Sequence, residues 1–198
     1  LWIGSENIDK NFKIPHWHRL VSVNATAGRE PETGDTRAAC LLFTSGSTGE
    51  PKGIRIKHSN IISYVNSVQK IFKPNETDRF SQIFDQTFDL SLHDMFVAWS
   101  TGASLFCIPD NERHAPGRFI KKHSLTFWFS TPSTIALMQS AKLLKANSFS
   151  TLRFSLFCGE ALSSELAENW MAAAPKSRLH NLYGPTEATI AITQTKIT

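Results

Sequence analysis

The stretch Ala38-Ala39-Cys40-Leu41-Leu42-Phe43-Thr44-Ser45-Gly46-Ser47-Thr48-Gly49-Glu50-Pro51-Lys52-Gly53-Ile54-Arg55-Ile56-Lys57 sets the architecture of this 198-residue chain. Its first six residues form a short apolar run that ends in glycines and hydroxyls, the pattern of a buried strand opening into a loop. Residues 54–57 then alternate apolar and basic side chains, as a strand with one wetted face does. Ser59 is placed to cap a helix running to about Phe72, where Pro74 stops it. Downstream the rhythm repeats. Strand-like runs fall at 79–84, 104–108, 125–129, 153–157, 178–182 and 189–193, and helical patterns at 90–99, 133–144 and from Ser163 or Ser164 to Ala173. This alternation predicts an α/β fold with a mixed, largely parallel sheet flanked by helices.

Working outward, residues 1–37 are polar and punctuated by Pro15, Gly28, Pro31 and Gly34, and read as a lead-in segment of the same domain. Residues 38–198 read as its core. Both ends look cut from a longer protein. A composition of 41% hydrophobic and 19% charged residues excludes a disordered chain. The balance of 21 Lys+Arg against 17 Asp+Glu gives +4 without a basic run, which suits small anions and does not suggest a nucleic-acid partner. Cys40, Cys107 and Cys158 lie far apart without CxxC spacing, so they read as reduced thiols of a cytoplasmic protein. No apolar run approaches the roughly 20 residues that span a bilayer, so membrane insertion is not expected.

Ligands of open α/β sheets gather at the carboxyl ends of strands. Three unusual loops follow predicted strands, which suggests one composite site. In the first, Gly46, Gly49 and Gly53 let main-chain N–H groups approach an anion, the hydroxyls of Thr44, Ser45, Ser47 and Thr48 add donors, and Lys52 adds charge. A Walker loop is excluded because Lys52 lies between Pro51 and Gly53. The competing reading is a Gly/Ser-rich surface turn. The second loop is Cys158-Gly159-Glu160-Ala161. There Cys158 reads as a small wall residue rather than a nucleophile, because no basic partner is evident. The third is Asn181-Leu182-Tyr183-Gly184-Pro185-Thr186-Glu187. In it Tyr183 can stack on a purine, Asn181 can read the purine edge, Thr186 can hold a phosphate oxygen, and Glu187 can ligate Mg²⁺.

A further segment, Phe88-Asp89-Leu90-Ser91-Leu92-His93-Asp94-Met95-Phe96, places Asp89 and His93 on one face of a helix. They are either pocket residues, with Asp89 pairing a substrate cation, or an N-cap and a surface His on an amphipathic helix. On these residues alone the plainer second reading is preferred. Asp94, Met95 and Phe96 read as structural.

Together these motifs resemble the adenylate-forming (AMP-binding) superfamily, which includes acyl-CoA synthetases, luciferases and amino-acid adenylation domains. Residues 43–53 look like its phosphate loop, 88–96 like its next conserved segment, and 181–187 like its Tyr-Gly-Pro-Thr-Glu motif. The resemblance implies that the chain is the core of the large N-terminal domain. Asp89 is similar to the Asp that binds the α-ammonium in amino-acid adenylation domains, and residues 156–162 resemble D-alanine:carrier-protein ligases most. His93 stands where those ligases usually have an apolar residue. The implied chemistry is formation of aminoacyl-AMP from ATP and a small amino acid such as D-alanine. Transfer to the phosphopantetheine thiol of a carrier protein follows. By resemblance, Thr44, Lys52, Thr186 and Glu187 are catalytic, and Glu187 holds Mg²⁺. ATP is held by residues 44–49 (Thr44, Ser45, Gly46, Ser47, Thr48, Gly49), Lys52, Gly159, Glu160, Ala161, Asn181, Tyr183, Gly184 and Thr186. Asp89, His93, Cys158, Leu182 and Ile190 bind the amino acid, with Phe129, Leu156 and Ala191 as further pocket positions. A later ribose-binding Asp, the hinge and the small C-terminal domain with its catalytic Lys fall outside these 198 residues, so this segment alone is expected to adenylate poorly. The alternatives are an acyl-CoA or aryl-acid ligase of the same superfamily, or a catalytically silent nucleotide-binding module.

Overall fold

A computed structural model describes residues 37–45 and 50–198, all within one compact unit, Gly34–Thr198. The expected lead-in segment lies outside the described residues apart from Arg37, as do Gly46, Ser47, Thr48 and Gly49. The elements in chain order are β1 (Ala38–Ser45), β2 (Pro51–Lys57), α1 (His58–Phe72), β3 (Arg79–Gln82), α2 (Leu90–Ser100), β4 (Ser104–Cys107), α3 (Gly117–Lys122), β5 (Phe127–Ser130), α4 (Pro132–Ser140), β6 (Phe154–Phe157), α5 (Ser164–Ala173), β7 (Arg178–Tyr183) and β8 (Thr193–Lys196).

Six strands form one sheet in the order β4-β3-β5-β6-β7-β8; all are parallel except β8, which runs antiparallel to β7. The expected mixed, largely parallel sheet flanked by helices is therefore present. Its central strands alternate strictly in the face they supply. Phe127, Phe129, Phe154 and Leu156 enter the core beneath α1 and α2. Trp128 and Phe157 enter the opposite core, formed with α3, α4 and α5. That is the period-2 direction of strand side chains, with both faces covered as parallel sheets require.

Register is marked by an aromatic ladder. Phe80 pairs with Phe127 and Phe127 with Phe154 across β3, β5 and β6, with ring centroids 4.3 and 4.8 Å apart. Such cross-strand ring pairs favour one alignment over a slipped one. At the amino ends of these strands, buried Asp78 accepts hydrogen bonds from the Thr126 hydroxyl (2.8 Å) and from Arg153 Nη1 (2.6 Å).

Four sequence expectations need correction. The run 38–43 is not a buried strand of the main sheet. It is one arm of a separate antiparallel hairpin with β2, on which Leu41 and Phe43 are 57% and 64% exposed. Helix α1 begins at His58, where the Lys57 N–H donates to Asn60 Oδ1 at 3.0 Å, so Ser59 is not its cap. Residues 189–193 are not a strand, because Thr189 (φ 66°) and Ile190 (φ 71°) take left-handed backbone angles; β8 starts at Thr193. Helix α4 stops at Ser140, short of 144, and Lys142 follows at φ 56°. The short helix α3 was not anticipated, since six residues hold too little periodicity to register. Among the described residues no helix is long and apolar enough to cross a membrane.

Candidate active site

Two of the predicted loops leave the carboxyl ends of neighbouring parallel strands. β6 runs into Cys158, Gly159 and Glu160, and β7 ends at Tyr183. Gly159 turns the chain at φ 89°, a left-handed angle that a side chain resists. The Glu160 carboxylate reaches the start of α4, accepting the Ser133 N–H at 2.8 Å and the Ser133 hydroxyl at 3.0 Å. Its side chain is thus engaged in holding α4, which leaves the backbone of 159–161 as the surface that can line a ligand.

After β7, Gly184 is required by crowding rather than by its backbone angle. A Cβ there would lie 2.5 Å from Ala191 Cα and 2.9 Å from Ile190 O. The tight crossing is sealed by Ile192 N–H donating to Tyr183 O at 2.9 Å. It leaves Tyr183 67% exposed, so its ring is accessible for stacking. Asn181 lies two residues earlier on the same face of β7. It is half-buried, and its Oδ1 accepts no hydrogen bond among the described residues. Thr186 and Glu187 follow in a 3₁₀ turn, Thr186–Ala188, with Glu187 exposed.

The first loop does not start from an equivalent place in the parallel sheet, because β1 and β2 form their own hairpin. Strand β2 nevertheless packs against the turn at 186–188. Lys52 is exposed on β2 opposite Thr44 of β1, near the end of the hairpin.

Asp89 decides between the two readings of its helix. It sits at the N-terminus of α2 but makes no side-chain capping bond. Instead, buried to 8% exposure, its Oδ2 accepts the Ile190 N–H at 3.2 Å. No ion pair to Asp89 occurs among the described residues. Burial raises its pKa, and hydrogen bonding, led by the Ile190 N–H, opposes the rise only in part. His93 is not a surface residue; it is fully buried, with Nδ1 2.8 Å from the Tyr64 hydroxyl. Burial pushes its pKa down to about 3, so the ring is neutral at physiological pH. Cys158 is buried within electrostatic reach of Asp89. Burial raises its thiol to about 11, the Gly159 N–H pulls the other way, and the Asp89 charge adds to the rise. A thiol so held is protonated and inert, which fits a wall residue. Leu182 and Ile190 pack into the same core as Cys158 and Phe129.

The structure thus bonds Asp89 to Ile190, brings Cys158 within electrostatic reach of Asp89, and packs His93 on Phe129 of the core that Cys158, Leu182 and Ile190 share. Tyr64 adjoins them through His93 and was missed: α1 falls between the first motif and the rest, and nothing near Tyr64 in the chain marks it.

Residues 5–198 match the family model for the AMP-binding enzyme. The chain belongs to the AMP-binding enzyme family. It is 32% identical over 178 residues to a D-alanine–D-alanyl carrier protein ligase of Bacillus velezensis, covering 88% of this chain and 35% of that protein. It is 35% identical over 196 residues to an L-proline–[L-prolyl-carrier protein] ligase of Pseudomonas fluorescens, covering 95% of this chain and 38% of that protein. Among solved structures it resembles the Vibrio cholerae adenylation domain AlmE in complex with glycyl-adenosine-5'-phosphate. There the identity is 43% and the TM-score 0.79, with 81% of this chain and 30% of that chain covered. The chain therefore spans less than half the length of the curated relatives it matches. As relatives of an AMP-binding enzyme, these three carry three different amino acids in their names, so the likeness alone does not select one.

Proposed function

We propose that the protein containing this chain activates a small amino acid with ATP and hands it to the phosphopantetheine thiol of a carrier protein. The observation that carries this reading is Asp89. A buried carboxylate at a helix entry, excused from capping and without a cationic partner among the described residues, is costly unless a cation is to be bound. An amino acid's α-ammonium is such a cation.

In the first step an oxygen of the substrate carboxylate bonds to the α-phosphorus of ATP, the bond to the β-phosphate bridging oxygen breaks, and pyrophosphate leaves. In the second, the carrier thiol bonds to the carbonyl carbon, its proton is lost, and AMP departs. Both anions of the first step must be held in line and their repulsion screened. Asp89 anchors the ammonium, Tyr183 stacks on adenine, Asn181 Oδ1 accepts from the adenine amino group, and Thr186 donates to the α-phosphate. Thr44 and Lys52 face the departing pyrophosphate. Among the described residues no cluster of three acidic, His or Cys side chains could cage a metal, and one exposed carboxylate stands at Glu187. That donor set fits Mg²⁺, which binds through one or two carboxylates together with substrate phosphates. When bound there, Mg²⁺ would neutralise phosphate charge. The pocket walls, Cys158, His93 and Ile190, favour a compact side chain such as that of glycine, alanine (D-alanine included) or serine. Three free thiols accord with a cytoplasmic setting.

The test is pyrophosphate exchange by the full-length protein over a panel of D- and L-amino acids and the matching carboxylic acids without the amino group. Exchange led by small amino acids, and lost in Asp89→Ala, is expected. Equal exchange with the deaminated acids would sink the reading.

A further inference from the structure

His93 is held from two sides. On one, the Tyr64 hydroxyl meets Nδ1 at 2.8 Å, with the two rings edge-on at 5.8 Å and 67°. On the other, the Phe129 ring lies at 4.6 Å, tilted by 57°. Among the described residues Tyr64 is the ring's one hydrogen-bond partner, for Nε2 has none. Tyr64 is itself buried, and it lines a groove of about 350 Å³ between α1 and the segment that includes Thr189 and Ala191. His93 lies one helical turn beyond Asp89, on the same face of α2.

We propose that Tyr64 is a positioning residue for amino-acid selection: its hydroxyl locks the His93 ring as a fixed wall beside Asp89 and so limits the side chain the pocket accepts. This inference rests on the reading of the Asp89 site as an amino-acid pocket. A histidine ring can turn about its outer torsion, which is broad and only weakly preferred. Packing against Phe129 limits tilt, but only a directional bond to Nδ1 distinguishes the ring from its flipped form. The hydroxyl supplies that bond whichever partner carries the proton, because it can donate or accept. Removing it leaves both ring nitrogens buried and unpaired, and the wall loses its fixed orientation. Substrate-contacting side chains need such supporting groups to hold their geometry.

The experiment compares full-length wild type, Tyr64→Phe, His93→Met and the double variant in pyrophosphate exchange, measuring KM separately for the preferred amino acid and for ATP. Phe keeps the buried ring and removes only the hydroxyl. Tyr64→Phe is expected to raise the amino-acid KM by about tenfold, the fold-change equivalent to one buried hydrogen bond. It should narrow the preference for small over large substrates and leave the ATP KM within about twofold. In the His93→Met background the same change should shift the amino-acid KM by less than about twofold, because no imidazole remains to hold. Nitrogen chemical shifts of wild-type His93 should report one neutral tautomer from about pH 5 to 9. The inference is overturned by an unchanged amino-acid KM in Tyr64→Phe, by a parallel rise in the ATP KM, by an undiminished effect in the His93→Met background, or by interconverting tautomers. A wild type that exchanges with no amino acid at all overturns the pocket reading and this inference together, and is recognised by its own silence.

Discussion

Replacing Gly184 by Ala tests whether the crossing between β7 and the 3₁₀ turn sets the geometry of the site. The added Cβ would meet Ala191 Cα at 2.5 Å, and Ile190 O and Ile192 N at 2.9 Å. Carbon atoms prefer about 3.5–4.0 Å, so the overlap with Ala191 is about 1 Å and must be relieved by movement. All three obstructing atoms are backbone, and no side chain can swing aside. The backbone angle of Gly184 is not left-handed, so the cost is purely steric, about 1–3 kcal/mol by the standard of overpacked interiors. The functional cost is larger. Tyr183 precedes the crossing, Thr186 follows it, and Ile190, which bonds Asp89, lies against it. A displacement of about 1 Å in groups that align two reactants costs about 10²-fold in rate. The assay is pyrophosphate exchange by the full-length variant, with thermal unfolding measured alongside. Gly53→Ala is the steric control for folding: its Cβ would lie no closer than 3.4 Å to the side chains of Leu41 and Phe43, an ordinary contact, and its unfolding temperature should stay near that of wild type. A Gly184→Ala protein with wild-type kcat/KM would refute the argument.

Asp89 must be ionised to hold an ammonium, and burial raises its pKa above the ordinary 3.8. The amino-acid KM should therefore rise as pH falls through a value above 3.8, with the ATP KM following a different profile; an acid limb at or below 3.8 would count against it. The sign for stability is opposite to that of most Asp residues. A raised folded pKa contributes stability below the unfolded value, and this is lost as pH rises through the folded one. Asp89→Asn, which keeps an acceptor for the Ile190 N–H, should thus be at least as stable as wild type near neutral pH while losing amino-acid-dependent exchange. Cys158, its thiol held at about 11, should react slowly with iodoacetamide at pH 8 in the native protein. Cys158→Ala should keep exchange within about tenfold and shift substrate preference toward larger side chains by deepening the pocket; complete loss of turnover in a folded variant would point back to a nucleophile.

The strand–helix alternation of this chain was legible because it is local. The apolar runs at 127–130 and 154–157 are buried on both faces, and Ser163 caps α5 through its own hydroxyl, which accepts the Leu166 N–H at 3.3 Å. Residue types at short spacing likewise marked the glycine-rich loop and the Tyr-Gly-Pro-Thr-Glu turn. What periodicity did not reveal was which strands share a sheet: the hairpin of β1 and β2 and the late start of β8 depend on backbone angles that sequence pattern does not encode.

Side-chain partnership was equally hidden. Asp89 looks like a cap from its neighbours in sequence, yet its partner Ile190 lies 101 positions away, and His93 finds Tyr64 at 29 positions. By itself the sequence determined the family and the alternating fold, and it marked the loops, because these rest on short-range pattern and chemistry. Only the tertiary structure decided that Asp89 is a buried carboxylate bonded to Ile190 and that a tyrosine on α1 meets His93. Burial and long-range hydrogen bonds exist only once the chain has closed on itself.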